Sequence, residues 1–421
     1  MKKIVLATPE NYGISVLVDL ARRLEVDTLT YSIFRFRKYS IGSFKPRFYL
    51  TWTLRKWKLK KLGFKLERLP LLTYEKVNIN IEVLDQLREV YLQVCLDHFV
   101  FVNHRFPLSK ELVESKKDRE WIRFISSYHT LKEYLLKDEI TDLYVFNGRP
   151  MILKLLEFIC RELGVRFHIL EILGGKADTL RYLSSSVSFW NFHQFSLEIS
   201  RYYNSAITLK GKEIVDTIAK NYYYRRKKGD DVYLSKWINS TVNNSVRSND
   251  KKICSFFFSS IDELPAFDKI EKEINYLDQI SLVKKISEII TYEFVDYEFK
   301  LKLHPRMLTE KKLKYFLDDV LRAKPQNVEI VPFDLNPYAL IESSDIVCAS
   351  VSSVVWEATF FGKCSVIFGG TWANAHDVHH TIDTWEEFRE VLKQPIAKNP
   401  TNALQVAYYI ETAGHELNTF L

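Results

Sequence analysis

From Ile253 onward the chain alternates short apolar runs with longer segments of helical period, and no other feature constrains the fold as tightly. Runs at Ile253 to Phe258, Tyr297 to Leu303, Val328 to Val331, Asp345 to Ala349 and Ser365 to Phe368 read as strands. Helical patterns separate them, from about Ile270 to Ile290, from Lys311 to Leu321, around Tyr338 and from Val354 to Phe361. Strands joined through helices lie parallel, and a parallel sheet is covered on both faces, so its strands are apolar on both sides.

The first half follows the same grammar with an interruption. Lys3 to Ala7 reads as a strand, Asn11-Tyr12-Gly13 as a loop and Ile14 to Leu24 as a helix. Helical period returns at Ile81, Leu84, Leu87, Tyr91 and Val94, and again from Trp121 to Leu135. A second βαβ unit follows: strand Asp142 to Phe146, helix Pro150 to Leu163, a stop at Gly164 and strand Val165 to Leu170. The polar stretch Lys227 to Lys252 reads as a linker. A chain of 421 residues suits two domains of about 200 residues each. The expected division is a first domain over 1–235, a second over 250–400, and a tail over 401–421 whose helix crosses back to the first.

The interruption is basic and aromatic. Between Arg35 and Arg68 many Lys and Arg are interleaved with Phe44, Phe48, Trp52, Trp57 and Phe64, and Glu67 is the one acid. Leu50, Leu54 and Trp57 share helical spacing, with Arg55, Lys56, Lys58 and Lys60 largely off that face. Two readings fit: a surface that docks on an anionic membrane, or a solvated basic face of a helix packed on the sheet. No nucleic-acid motif accompanies the charge. The five cysteines are scattered, without zinc or redox spacing, and read as reduced core thiols. Met1-Lys2-Lys3 precedes too short an apolar run for a signal-peptide core, and no run approaches the ~18 residues of a spanning helix. The expected location is the cytoplasm, with docking on the inner face of the cytoplasmic membrane as the membrane reading would have it.

Two short signals sit at the ends of the second-domain strands. Leu303-His304-Pro305-Arg306 closes one strand, and Pro305 forces a turn there. Ser350-Val351-Ser352-Ser353 closes another and opens a helix that carries Glu357, with Gly362 beyond it. Hydroxyls and free amides at a helix start favour an anion, and ligands of open α/β sheets bind at the carboxyl ends of the strands. Taken alone, each signal is also what a helix cap and a packed strand end look like. Together they point to a site for a nucleotide's phosphate, with Phe333, after another strand, as a candidate to flank the base.

These residues, with Ser255 to Glu263, Gln279 and Asn336-Pro337-Tyr338-Ala339-Leu340-Ile341, resemble the C-terminal domain of bacterial capsule and surface-polysaccharide glycosyltransferases. That group has the GT-B fold, two Rossmann-like α/β domains facing across a cleft, and includes Kdo transferase-like and polysialyltransferase-like enzymes marked by an HP dipeptide and a serine-rich motif. Phe146-Asn147-Gly148-Arg149 is similar to a second mark of capsule-synthesis proteins. The likeness spans about residues 250 to 375 and is thin elsewhere. It implies transfer of a sugar from a CMP-linked ulosonate, such as Kdo or sialic acid, to a surface polysaccharide or lipid-linked glycan, with no metal and no cofactor besides the donor. His304, Pro305, Ser350, Ser352 and Ser353 would hold the phosphate, and by the resemblance Glu357 would take the ribose hydroxyls.

The acceptor side is read from position. Glu171 ends a first-domain strand and is the first choice to activate the acceptor hydroxyl, as base or as nucleophile, with Asp178 second. Arg149 has the geometry to hold an ulosonate carboxylate or an acceptor phosphate bidentately, with Asn147 beside it; it equally suits tying its own turn together. His376, Asp377, His379 and His380 cluster in sequence, but the preceding Gly370 to Asn374 reads as a loop, without the rigid frame that zinc ligands need. Related motifs in CDP-glycerol polymerases keep a CDP-glycerol-type phosphotransferase as the alternative enzyme, and a non-catalytic glycan-assembly scaffold as the alternative class.

Overall fold

The computed structural model describes residues 2–7, 11–26, 28–31, 57–68, 82–91, 117–137, 139–146, 151–176, 179–187, 189, 191–230, 250–259, 279–304, 307, 314–323 and 327–417. They form two sheets, each flanked by helices.

In the first sheet, β1 (Lys2–Ala7), β2 (Thr28–Tyr31), β3 (Lys65–Arg68), β4 (Ile140–Phe146) and β5 (Arg166–Lys176) are parallel, ordered β3-β2-β1-β4-β5. Chain order reverses between β1 and β4, which makes their carboxyl ends the switch point of this sheet. Helix α1 (Asn11–Arg23) buries Val16, Leu17, Leu20 and Ala21. Helices α2 (Lys117–Lys137) and α3 (Met151–Leu163) pack on each other, and Gly164 ends α3 at φ +69°, a left-handed stop that L side chains resist.

β5 departs from the sequence reading. It runs on through Glu171 to Lys176, and β6 (Thr179–Ser185) returns antiparallel to it. The register shifts between Ile172 and Gly174, and Gly174 holds φ +115° there. The strand that was read as ending at Glu171 thus continues through a bulge into a hairpin. Helices α4 (Phe192–Lys210) and α5 (Lys212–Lys227) follow, and they had no counterpart in the sequence reading. The basic segment is described only from residue 57. A single helical turn over 57–61 turns Leu59 inward, 1% exposed, and leaves Trp57 outside, 57% exposed, while Leu50, Leu54, Arg55 and Lys56 lie outside the described residues. Its continuation is β3, the edge strand.

The second sheet comprises β7 (Lys252–Phe257), β8 (Tyr297–Lys302), β9 (Val328–Ile330), β10 (Ile346–Ala349), β11 (Cys364–Ile367) and β12 (His380–Thr381). All are parallel, in the order β9-β8-β7-β10-β11-β12. That is the 3-2-1-4-5-6 order of a doubly wound nucleotide-binding unit, with its switch point between β7 and β10. Helices α6 (Gln279–Glu293), α7 (Lys314–Ala323), α8 (Pro337–Ser343), α9 (Val354–Phe360) and α10 (Trp385–Lys393) accompany it. Residues 253–257, 346–349 and 364–367 are fully buried, as a strand between two helical layers must be. Two Rossmann-like units in tandem constitute the expected GT-B architecture.

Helix α11 (Leu404–Thr412) packs against α4 and α5, and β13 (His415–Leu417) pairs antiparallel with β6, adding a strand to the first sheet. Cys160, Cys254, Cys348 and Cys364 are buried free thiols; Cys95 lies outside the described residues. Burial pushes the thiols of Cys160 and Cys364 up to about 12, so both stay protonated and inert. No helix among the described residues is long and apolar enough to cross a membrane.

Candidate functional site

Three strands of the second sheet end side by side around its switch point, and local hydrogen bonds fix them. The amide of Phe258 donates to the Lys302 carbonyl at 2.9 Å, which extends the β7–β8 ladder one residue further. Beyond it, the Ser259 hydroxyl donates to the Val351 carbonyl and accepts from the Val351 amide at 3.3 Å. Gln279, 1% exposed at the start of α6, reads both backbone groups of Ser259: its Oε1 accepts from the amide at 2.8 Å and its Nε2 donates to the carbonyl at 3.1 Å. The end of β7 is therefore held between the HP strand and the serine turn. With β7 between them, β8 and β10 lie two strand spacings apart, roughly 10 Å.

His304 follows the last residues of β8 at this edge. It is half-buried, and its carbonyl accepts from the Met307 amide at 3.0 Å, which starts the turn. Pro305 lies outside the described residues. Ser350 is buried at the end of β10. Gly369, two residues past β11, lies so close that a β-carbon there would sit 2.6 Å from the Ser350 carbonyl oxygen, so the close packing of the turn requires glycine. The next two serines differ in role. Ser352 Oγ accepts from the Val354 amide at 3.3 Å, whereas Ser353, at the cap position of α9, makes no capping bond with its side chain.

That difference separates stability from binding. Ser352→Ala is expected to cost ~1 kcal/mol of helix capping. Ser353→Ala should leave the thermal midpoint nearly unchanged, and on a phosphate-binding role it weakens nucleotide affinity ~10-fold or more, as for a hydrogen bond to a charged group. Calorimetric titration with a nucleotide, paired with thermal unfolding, checks both. Unchanged affinity in Ser353→Ala would remove that hydroxyl from the site.

Glu357 is engaged in another way than the resemblance implies. It is 4% exposed; Oε1 accepts from Arg226 Nη2 at 3.0 Å and Oε2 accepts from the Tyr338 hydroxyl. Arg226 belongs to α5, so this ion pair joins the helix after the serine turn to the helical segment that follows the first sheet's hairpin. Burial, with the Glu357 charge beside it, pushes the Tyr338 phenol well above its usual range. Both carboxylate oxygens are already engaged, one across the junction by Arg226 and the other within the second unit by Tyr338, and the ribose role is not carried forward. Phe333 follows β9 at the same edge as His304 and is half-buried.

In the first sheet Glu171 is the first residue of β5 beyond its last pair with β4, Leu170 with Phe146, so it lies at the carboxyl edge of the sheet. It is half-buried, faces Leu183 of β6 across the hairpin, and its Oε1 accepts from the Ile172 amide at 3.2 Å. β4 ends at Phe146, and Asn147 and Arg149 lie outside the described residues, as does Asp178.

The histidine cluster disperses. His376 Nε2 donates to the Ser196 carbonyl at 2.8 Å, His379 lies 3.2 Å from the Thr371 hydroxyl, and His380 donates to the Ile396 carbonyl at 2.8 Å, while Asp377 pairs with Lys398. Burial lowers the pKa of His376 and takes that of His379 down to about 4, which keeps both neutral. Among the described residues no group of His, Cys, Asp and Glu has the arrangement of a metal site. The loop instead clasps α4: Trp372 Nε1 donates to the Phe189 carbonyl at 3.0 Å and the Ala375 amide to Ser196 Oγ at 3.2 Å.

No protein-family model and no curated protein matches this chain. Solved structures do. A KpsC β-Kdo 2,4-transferase from Thermosulfurimonas dismutans is 12% identical, with a TM-score of 0.43 over 63% of this chain and 79% of that one. A KpsC β-Kdo 2,7-transferase from the same organism is 14% identical, with a TM-score of 0.38 over 69% and 88%. A UDP-GlcNAc 2-epimerase from Neisseria meningitidis, bound to UDP-GlcNAc, is 11% identical, with a TM-score of 0.35 over 97% of each chain. Likenesses this low assign no activity, and the fold rests on the strand order above.

Proposed function

We propose that the chain is a glycosyltransferase that binds a CMP-linked ulosonate at the carboxyl edge of the second sheet and passes the sugar to a surface glycan or its lipid-linked precursor. The observation that carries this reading is the convergence of His304, Ser350, Ser352 and Ser353 around the β7–β10 switch point. In the proposed reaction the sugar–phosphate bond breaks and the nucleotide leaves with its phosphate. The Ser353 hydroxyl, the amides at the start of α9 and the His304 imidazole take up the charge that develops there, without a metal. Glu171 removes the acceptor proton as the new glycosidic bond forms. Arg149 and Asn147 are kept for the sugar carboxylate or an acceptor phosphate. CMP release from CMP-Kdo and CMP-sialic acid, each with a glycan acceptor, tests the reading. Turnover of CDP-glycerol alone would replace it with phosphotransfer, and nucleotide binding without turnover of any donor would favour the scaffold.

The acceptor's location gives the basic segment a role. Lys58, Lys60 and Lys61 are exposed, Lys61 Nζ lies 3.8 Å over the exposed Trp57 ring, and Leu59 and Phe64 anchor the segment in the core. Such a surface fits the anionic cytoplasmic face of a membrane, at about 1 kcal/mol per basic residue. Changing Lys58, Lys60 and Lys61 to Glu is expected to weaken binding to anionic vesicles ~10²-fold or more while transfer to a soluble acceptor is unchanged. Wild-type protein that stays in the supernatant with such vesicles at low salt would refute the docking.

A further inference from the structure

Lys302 is the last residue of β8, two before His304, and it is 6% exposed. A buried ammonium is costly unless its donors are satisfied. Here Nζ donates to the carbonyls of Pro332, at 3.0 Å, and Phe333, at 2.8 Å, in the loop that leaves β9. Neither acceptor is a carboxylate, so the charge is held by two peptide dipoles. The neighbouring charge that favours it is Asp334 of the same loop, and burial brings the ammonium down to about 8, still protonated at neutral pH. On the same face of β8, Lys300 is committed elsewhere, bridging Glu298 and Glu329 at 3.3 and 2.9 Å. The side chain of Lys302 thus ties the strand that delivers His304 to the loop that presents Phe333. An apolar residue would fill the space at no desolvation cost, but it would remove the Lys302 donor from the Phe333 carbonyl and leave the Pro332 carbonyl with the Leu335 amide.

We infer that Lys302 is a positioning residue that clamps the 332–334 loop against the end of β8 and so fixes the face on which the donor's nucleobase rests. This rests on the reading of the edge as a nucleotide site. The clamp sets two parts of one ligand relative to each other: the phosphate near His304 and the base beside Phe333. Loss of the clamp therefore weakens binding of a whole nucleotide without removing any group that touches the phosphate.

The test uses the full chain with CMP as the probe, comparing wild type, Lys302→Met and Lys302→Arg. Methionine is close in shape and removes the charge, so the fold is expected to survive; arginine keeps charge and donors. CMP affinity should fall about 10- to 100-fold in Lys302→Met, the effect expected from losing hydrogen bonds of a charged group, and Lys302→Arg should recover most of it. Amide hydrogen exchange without ligand gives an independent reading. The Leu335 amide, bonded to the Pro332 carbonyl at 3.1 Å, should exchange faster in Lys302→Met, while the Val331 amide, bonded to the Leu301 carbonyl at 3.0 Å, stays protected. Wild-type affinity in Lys302→Met, an arginine variant no better than methionine, or unchanged Leu335 exchange overturns the inference and leaves the nucleotide reading standing. Wild type that binds none of CMP, CDP, UDP and GDP overturns both.

Discussion

Replacing His304 with alanine is expected to lower transfer by ~10³-fold or more while the protein remains folded. His304 follows the carboxyl end of β8, on the flank of β7 opposite the serine turn, so on the proposed reading a phosphate over β7 would lie between the two. Removal of one preorganised donor to a developing charge costs ~10²- to 10³-fold, and losing the contact that aligns the leaving phosphate adds to that. Packing is carried by neighbouring side chains, because Leu303 and Met307 are 2% and 1% exposed and belong to the core of the second sheet. Steady-state transfer with thermal unfolding of the same variant checks both halves. Near-normal turnover would leave His304 as a packed strand end.

Glu171→Gln carries the second large effect. If this carboxylate takes the acceptor proton, the amide isostere keeps donor binding intact, since the proposed donor site lies on the other sheet, and lowers transfer by ~10²- to 10⁴-fold. If it attacks the sugar instead, the loss is at least as large, and intact mass of the wild type shows a glycosyl adduct on the carboxylate. Its place in a hairpin strand, locked by the pairing of Glu171 with Leu183, gives the side chain a fixed origin, as a base must have. Transfer within tenfold of wild type would remove Glu171 and move the test to Asp178.

What the sequence disclosed follows from how each element is stabilised. In the second sheet β10 and β11 were readable because burial on both faces makes them nearly apolar end to end, β8 by its alternation, and caps such as Asn336 before Pro337, whose side chain accepts from the Tyr338 amide, punctuate them. The β5–β6 hairpin was not, because Gly174 and Gly175 carry the same signal at a bulge as at a strand end. Helix α4 does carry a helical signal in sequence: Phe192, Phe195, Ile199, Tyr203 and Ala206 recur at three- and four-residue spacing and are all buried. His304 and the serine turn were legible as strand-end features, their part in a nucleotide site being a proposal. Glu357 was not, since its partner Arg226 lies 131 residues earlier in the chain and their pairing is set by tertiary packing. Lys302 was hidden because a lysine within a strand reads as solvent-facing until its two carbonyl acceptors are seen.

The most direct measurement is a thermal-shift titration of the wild type with CMP, CDP, UDP and GDP, repeated on a variant carrying both His304→Ala and Ser353→Ala. A ligand that binds the native state raises its midpoint by mass action, the added stability being ~2.7 kcal/mol at a concentration of one hundred times Kd. The expected result is a saturable rise with CMP, smaller or absent with the other three, and lost in the double variant. A rise with CMP that persists undiminished in the double variant would place the nucleotide elsewhere, and no rise with any of the four would contradict a nucleotide site at this edge.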